Sequence, residues 1–202
     1  MASPIELIGV LIGSFLVNLI PFAGPSNLFI ASTAALTVQS DPFSLGFLVA
    51  LGATLAKSVH YVVTFFIGKH IGEKRRERID TKTLKIKHWA FFLLFAAAAS
   101  PIPDEPVVVP LGLMKYSPAK FFAAFFSGKI IITVIGASLG SWTGEFFSPF
   151  ISQEVLAVIS ITLTIIITIL LLKVDTAKII EKLFRRKNTP SQKAESEKVN
   201  IS

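Results

Sequence analysis

Five apolar segments, separated by short polar and basic stretches, restrict the fold of this chain more than any other feature. A helix needs ~20 apolar residues to cross the ~30 Å apolar core of a bilayer. Three of the segments meet this requirement by length, and the last of them contains no charged residue. The sequence therefore predicts spanning helices at residues 43–68, 121–142 and 155–172.

The other two apolar segments, residues 5–37 and 89–114, are each divided by an elbow that contains several prolines. Proline removes a backbone donor and clashes with the preceding turn, so a helix ends there. Two short arms joined by an elbow predict a re-entrant hairpin, which enters and leaves on one face. For residues 5–20 a nearly spanning helix stays open, because they could rise ~24 Å. The elbow prolines are Pro21, Pro25, Pro101, Pro103 and Pro106.

The basic residues indicate which ends of these segments face the cytoplasm, where lysine and arginine concentrate in short loops. They cluster in residues 69–88, at Lys115 and Lys120, and in the C-terminal tail. A spanning segment at 89–114 would divide these clusters between the two sides, whereas a re-entrant hairpin keeps them together. We therefore expect a multi-pass protein of the cell membrane whose loop 69–88 and tail 174–202 are cytoplasmic.

The composition agrees with a membrane protein. Hydrophobic residues make up 52% of the chain, and 18 of its 202 residues are Phe. Too few polar residues remain to cover a soluble domain of this size. The formal net charge of +7 lies in segments that orient membrane helices, so we expect no nucleic-acid partner. Residues 1–173 are predicted to form a single transmembrane domain, and the basic tail 174–202 to be partly disordered.

The order of the segments predicts an all-α membrane fold with an inverted repeat. A hairpin followed by a span occurs twice, in opposite senses, and the last helix is appended. The elbows echo each other weakly, as Pro21-Phe-Ala-Gly-Pro25 and Pro101-Ile-Pro-Asp-Glu-Pro106. Broken segments at corresponding positions of two halves point to a transport site near the middle of the membrane.

Four ionisable residues at membrane depth are the main candidates for that site. Asp104 and Glu105 lie in the second elbow, and Lys57 and Lys129 lie in the central parts of predicted spans. Each lysine would cost ~2.5–3.5 kcal/mol facing lipid, so both should face the interior and pair with the acids. The alternatives are solvated acids at a water-filled elbow and lysines that reach the interface with their long side chains.

Four further polar residues complete the candidate translocation site. Asn18, Ser26 and Asn27 flank the first elbow, where they could bind substrate or cap freed backbone groups. His60 lies one turn from Lys57 and could relay protons, but a hydrogen bond between helices is the simpler expectation. Glycines at four-residue intervals predict close helix packing, at Gly9 and Gly13, Gly68 and Gly72, and Gly136, Gly140 and Gly144.

Enzyme motifs are weak, and no cofactor is expected. Gly24-Pro25-Ser26 lacks the second glycine of a nucleophile elbow, and no histidine pair has the spacing of a metal site. The chain has no Cys, which excludes thiol metal ligands. An intramembrane enzyme that uses Ser26 with His60 is therefore a distant alternative.

A longer pattern surrounds the second elbow. It reads Ser100-Pro-Ile-Pro-Asp-Glu-Pro-Val-Val-Val-Pro-Leu-Gly112, followed by Phe121-Phe122 and Gly128-Lys129, and Gly52 leads through Tyr61 to Gly68-Lys-His-Ile-Gly72. These motifs resemble the DedA family, also called VTT-domain or SNARE-associated Golgi proteins, from about Asn18 to Gly140. The resemblance implies two re-entrant hairpins that meet at the midplane, and movement of phospholipids or polyprenyl phosphates.

Two departures from the family pattern affect what is carried over. Many bacterial members resembling this chain have acidic residues around the first elbow, where it has Asn18, Ser26 and Asn27. They also often have an arginine where it has Ala96–Ala99. Lys57 and Lys129 could take over the contact with a phosphate, which is our own inference from their position.

The expected function is transport or scrambling of lipids through a site between the two hairpins. Membrane lipids are then the partners, and self-association stays open. The main alternative is a proton-coupled transporter of a small ion or solute that uses Asp104, Glu105 and His60. A structural membrane scaffold is a further alternative.

Overall fold

The computed structural model is all-helical over the residues that it describes. These are residues 2–21, 25–69, 89–101, 103–147 and 149–152, and then 155, 158–163, 165, 166 and 169. Six helices have defined bounds, namely α1 (Pro4–Asn18), α2 (Asn27–Thr37), α3 (Pro42–Lys69), α4 (Ala90–Ala98), α5 (Glu105–Leu113) and α6 (Pro118–Phe147). The chain divides into two compact units, Met1–Thr168 and Ile169–Ser202, and of the second only residue 169 is described.

The two long helices, α3 and α6, are long and apolar enough to cross a bilayer. They run antiparallel, because Gly46 of α3 lies against Val134 of α6, whereas Tyr61, further along α3, stacks on Phe121, near the start of α6. They contain the predicted spans 43–68 and 121–142, and α6 extends beyond its prediction at both ends.

Sequence signals account for where the long helices begin. Asp41 precedes α3, and its Oδ1 accepts a hydrogen bond of 2.9 Å from the backbone N–H of Ser44, as helix-capping residues do. Hydrogen bonds from Ser44 hold the pKa of the Asp41 carboxyl below its usual value. Pro118 opens α6, at a position where a helix does not need the missing N–H.

Both predicted elbows interrupt the helices. α1 ends at Asn18 and α2 begins at Asn27, while α4 ends at Ala98 and α5 begins at Glu105. Pro106 lies in the first turn of α5, where proline is tolerated. With 15 residues, α1 rises about 22 Å, and it is too short to rank among the candidate spans.

The four short helices pack on the two long ones, and one short helix of each half packs on the long helix of the other half. Among the first three helices, α1 packs on α3, whereas α2 packs mainly on α6. Among the last three, α4 packs on α6, whereas α5 packs on α3. In each group the first short helix therefore packs on the long helix of its own group, and the second on that of the other group.

Contacts along α2 and α5 fix their direction. Leu28 and Leu36 of α2 lie against Gly136 and Gly144 of α6, so α2 runs from the middle of α6 toward its C-terminal end. On α3, α5 begins beside Lys57 and ends where Leu113 lies against Gly68. Because α3 and α6 are antiparallel, α2 and α5 extend toward opposite ends of the bundle.

Glycines permit the close helix contacts, and one glycine prediction is wrong. A Cβ on Gly136 or Gly140 would lie 2.4 or 2.3 Å from the carbonyl oxygens of Leu28 and Ser32, so any side chain there would push the helices apart. A Cβ added to Gly9 or Gly13, by contrast, would have no neighbouring atom within 4 Å. Both glycines lie on the exposed side of α1, so within the described residues they mediate no helix contact.

The apolar side chains form two buried clusters at different levels of the bundle. One surrounds Leu45 and Val49 of α3 with Ala137 of α6, and the other surrounds Tyr61 of α3 with Phe125 of α6. Many large apolar side chains point outward instead, among them Ile8, Phe66 and Trp142. Such a surface suits lipid and not water.

Several predictions fall outside the described residues. The tail 174–202 and all of the loop 69–88 except Lys69 are among them, and the helix predicted at 155–172 is described only in part. Within that part Ser160 Oγ lies 2.9 Å from Thr33 Oγ1 of α2.

Candidate functional site

The second elbow turns its two acids into the protein. Pro101, Pro103 and Pro106 are exposed, whereas Asp104 and Glu105 are buried. Asp104 occupies the N-cap position of α5, but its side chain makes no capping hydrogen bond. Its carboxylate oxygens pair with lysines instead.

The two lysines reach these acids from different helices. Lys57 of α3 contacts Glu105 Oε1 directly, and its Nζ lies 3.5 Å from Asp104 Oδ1. Lys129 of α6 places its Nζ 2.7 Å from Asp104 Oδ2. None of the four side chains exposes more than 7% of its surface. We call these four residues the ion cluster, and its pairing and burial are as the sequence predicts.

The ion cluster lies at the middle of the bundle. By the rise of an α-helix, Lys57 is about 22 Å from the start of α3 and about 18 Å from its end. Lys129 lies between the two apolar clusters along α6, as does Lys57 along α3. Opposite charges attract strongly in such surroundings, although their desolvation offsets much of the gain.

An aromatic column borders the ion cluster. Lys129 Nζ lies 5.1 Å from the centre of the Phe125 ring, which is a cation–π contact. Phe125 stacks on Phe121, and Phe121 on Tyr61. The Tyr61 hydroxyl donates a hydrogen bond to the backbone carbonyl of Tyr116, in the turn between α5 and α6. The column thus extends from the ion cluster to one end of the bundle.

The first elbow has neutral polar groups where the second has charges. Asn18 and Asn27 are buried and pair through both amides, with N···O distances of 2.9 and 3.0 Å. Asn18 also donates to the Ser14 carbonyl at 2.8 Å. Ser14 in turn donates to the Val49 carbonyl at 2.8 Å. These bonds join the ends of α1 and α2 and hold α1 on α3.

His60 and Ser26 lie beside the same elbow. His60 Nε2 is 2.9 Å from the carbonyl oxygen of Leu19, so the expected hydrogen bond between helices is present. His60 Nδ1 and Ser26 Oγ are buried atoms without a hydrogen-bond partner among the described residues. Ser26 precedes α2 but makes no capping bond, so the capping role considered for it is not observed.

The sequence predicts the members of the ion cluster but not how they share partners. Nothing in the spacing of Lys57 and Lys129 shows that both lie close to Asp104. The pairing of Asn18 with Asn27 is also missed, although both amides flank one elbow. Buried amides need partners, and that requirement could have suggested the pair.

No metal site is found in the part of the chain that the structure describes, where no three His, Asp or Glu side chains group together. What the arrangement offers is a buried, paired set of two ammonium and two carboxylate groups. Such groups can exchange ion-pair partners with a charged ligand, or exchange protons with it.

Comparison with known proteins assigns the chain to a family. The family described as the VTT domain matches residues 20–142, which is more than half of the chain and includes both elbows and the ion cluster. No curated protein and no solved structure matches the chain. With the match to residues 20–142, the chain belongs to the VTT-domain family, the DedA/SNARE-associated family, and is a membrane-associated protein of that type.

Proposed function

We propose that this protein moves lipids across the bilayer through the ion cluster and the adjoining first elbow. The observation that carries the proposal is the burial of Lys57, Lys129, Asp104 and Glu105 midway along two helices of membrane-spanning length. Ionisable groups at this depth are costly and usually serve a function. The match to the VTT domain adds support, since the resemblance to this family implies lipid movement.

The contacts also support an inverted repeat of two re-entrant hairpins. In each group of three helices the first short helix packs on its own long helix and the second on the other. α2 and α5 extend toward opposite ends of the antiparallel pair. The elbows lie at a similar level, since His60 contacts the first elbow and Lys57, one turn earlier, contacts the second. In this arrangement the hairpins enter the cell membrane from opposite sides.

The proposed mechanism follows from the position of the polar groups. Two opposed elbows interrupt the bilayer with polar side chains, which give a lipid headgroup a path while the acyl tails remain in lipid. A phosphate can replace a carboxylate as partner of Lys129 or Lys57. The Asn18–Asn27 pair offers hydrogen bonds without charge on the other side of the path. The protein needs no catalytic group for this, so no enzymatic activity is proposed.

Reconstitution tests the proposal. Purified protein in liposomes should move labelled phospholipid or polyprenyl phosphate between leaflets faster than protein-free liposomes. The double variant Asp104→Asn, Glu105→Gln should abolish this movement while it remains inserted, because the prolines that shape the elbow are kept and amides insert more cheaply than carboxylates. Transport at the wild-type rate in this variant would show that the second elbow is not the site.

A proton-coupled transporter of a small ion or solute is the second candidate. It is favoured by the carboxylates of the second elbow and by the buried, unpartnered Nδ1 of His60 one turn from Lys57. This candidate predicts proton movement across liposomes without lipid movement. A third possibility, an intramembrane enzyme, requires Ser26, and the transporter should tolerate Ser26→Ala.

A further inference from the structure

The formal charges of the ion cluster cancel. Lys57 and Lys129 contribute two positive charges, and Asp104 and Glu105 two negative ones. Among the described residues the buried side chains include no other Lys, Arg, Asp or Glu. Counted over the described residues, a ligand therefore meets a site that is rich in charge but has no net formal charge.

Net neutrality restricts which headgroup the site can accept. A headgroup with only a negative charge would take a lysine from the two carboxylates and add an unbalanced negative charge to the buried site, which is unfavourable. A headgroup that carries a phosphate and an ammonium together provides a partner for each group that it separates. Every charge stays paired, and the net charge of the occupied site stays at zero.

The distribution of contacts indicates where each end of such a headgroup would bind. Lys129 pairs with Asp104, and Asp104 also lies near Lys57. A phosphate can thus take Lys129 while Asp104 keeps a lysine partner. The ammonium of the headgroup would then lie beside the two carboxylates, at the N-terminal end of α5, where Glu105 is the first residue.

We infer that the ion cluster selects lipids with a zwitterionic headgroup, a phosphate joined to an ammonium, over lipids whose headgroup has a net negative charge. The inference rests on the proposed function and adds a substrate class to it. Transport of a neutral headgroup through a neutral site moves no net charge. The rate should therefore not depend on the membrane potential.

The test measures a selectivity ratio in liposomes. Phosphatidylethanolamine and phosphatidylglycerol carry the same acyl-chain label, so that the headgroup charge is the only intended difference. Wild-type protein should move phosphatidylethanolamine about tenfold faster or more, since the anionic lipid gives the buried site a net charge. A potential imposed with potassium and valinomycin should leave the phosphatidylethanolamine rate unchanged.

Charge variants of the site should move this ratio in opposite directions. Glu105→Gln removes one negative charge and leaves the cluster with one excess positive charge. This variant should shift the selectivity ratio toward phosphatidylglycerol. Lys129→Gln gives it one negative charge and should shift the ratio the other way. The combined variant restores neutrality and keeps the Lys57–Asp104 pair, so its ratio should return toward the wild-type value. Lys120→Gln, at an exposed position, is the matched control and should leave the ratio unchanged.

The outcomes separate this inference from the proposed function. If wild-type protein moves none of phosphatidylethanolamine, phosphatidylglycerol and polyprenyl phosphate, the proposed function itself fails. If it moves phosphatidylglycerol as fast as phosphatidylethanolamine, or if its phosphatidylethanolamine rate follows the potential, lipid transport stands and the zwitterion inference is overturned. The wild-type measurements decide this even if a charge variant does not insert.

Discussion

Asp104 Oδ2 lies 2.7 Å from Lys129 Nζ, although the two residues come from different parts of the chain and both are buried. The other oxygen of the same carboxylate lies 3.5 Å from Lys57 Nζ. Asp104 thus connects the N-terminus of α5 to both long helices at once. Glu105, its neighbour in sequence, makes its ion pair with Lys57, so adjacent acids have different structural roles.

The first prediction concerns these two acids. Asp104→Asn should lower stability more than Glu105→Gln, because it leaves Lys129 without its carboxylate partner, whereas Glu105→Gln leaves Lys57 near Asp104. Removing one partner of a buried pair costs roughly 3–5 kcal/mol. Thermal unfolding of the purified variants in one detergent measures the difference. Equal melting temperatures would contradict the bridging role of Asp104.

A double-mutant cycle tests the Asn18–Asn27 pair. Asn18→Leu or Asn27→Leu alone should destabilise the protein by about 1–3 kcal/mol, because each leaves a buried amide unsatisfied. The double variant should cost clearly less than the sum of the two, since no unpaired amide remains. Unfolding in detergent provides the three values. Additive effects would mean that the two amides do not interact.

Close helix packing can be tested at glycines with different surroundings. Gly128→Ala should destabilise the protein by about 1–3 kcal/mol, since the new Cβ would lie 2.5 Å from the Phe95 carbonyl oxygen. Gly9→Ala is the matched control, because nothing lies within 4 Å of its Cβ position and alanine favours a helix. The melting temperature should fall for the first variant and stay level or rise for the second.

Orientation can be measured by cysteine labelling, because the chain has no Cys. Cysteines placed at Arg78 and Lys120 should react with an impermeant reagent only from the cytoplasmic side. A cysteine at Gln39, in the turn between α2 and α3, should react only from the opposite side. The reason is that a re-entrant second hairpin returns the chain to the side from which it entered. Reaction of position 120 from outside alone would contradict the re-entrant topology.

The sequence by itself determines much of the architecture of this protein. Apolar length predicts both long helices, and the prolines predict the breaks between α1 and α2 and between α4 and α5. Charge at membrane depth singles out the four residues of the ion cluster, because lipid is a poor solvent for unpaired charge. These signals are local or depend on the solvent, so they can be read without knowing which helices touch.

Only the tertiary structure decides which groups become partners. Lys57 and Asp104 are distant in the chain, and their pairing depends on α5 packing mainly against α3. The spacing of Gly9 and Gly13 is the same as that of Gly136 and Gly140, yet within the described part of the chain only the second pair meets another helix. Packing is set by the shapes of all the helices together. Two glycines four residues apart allow a close contact, but their spacing does not specify whether another helix packs against them.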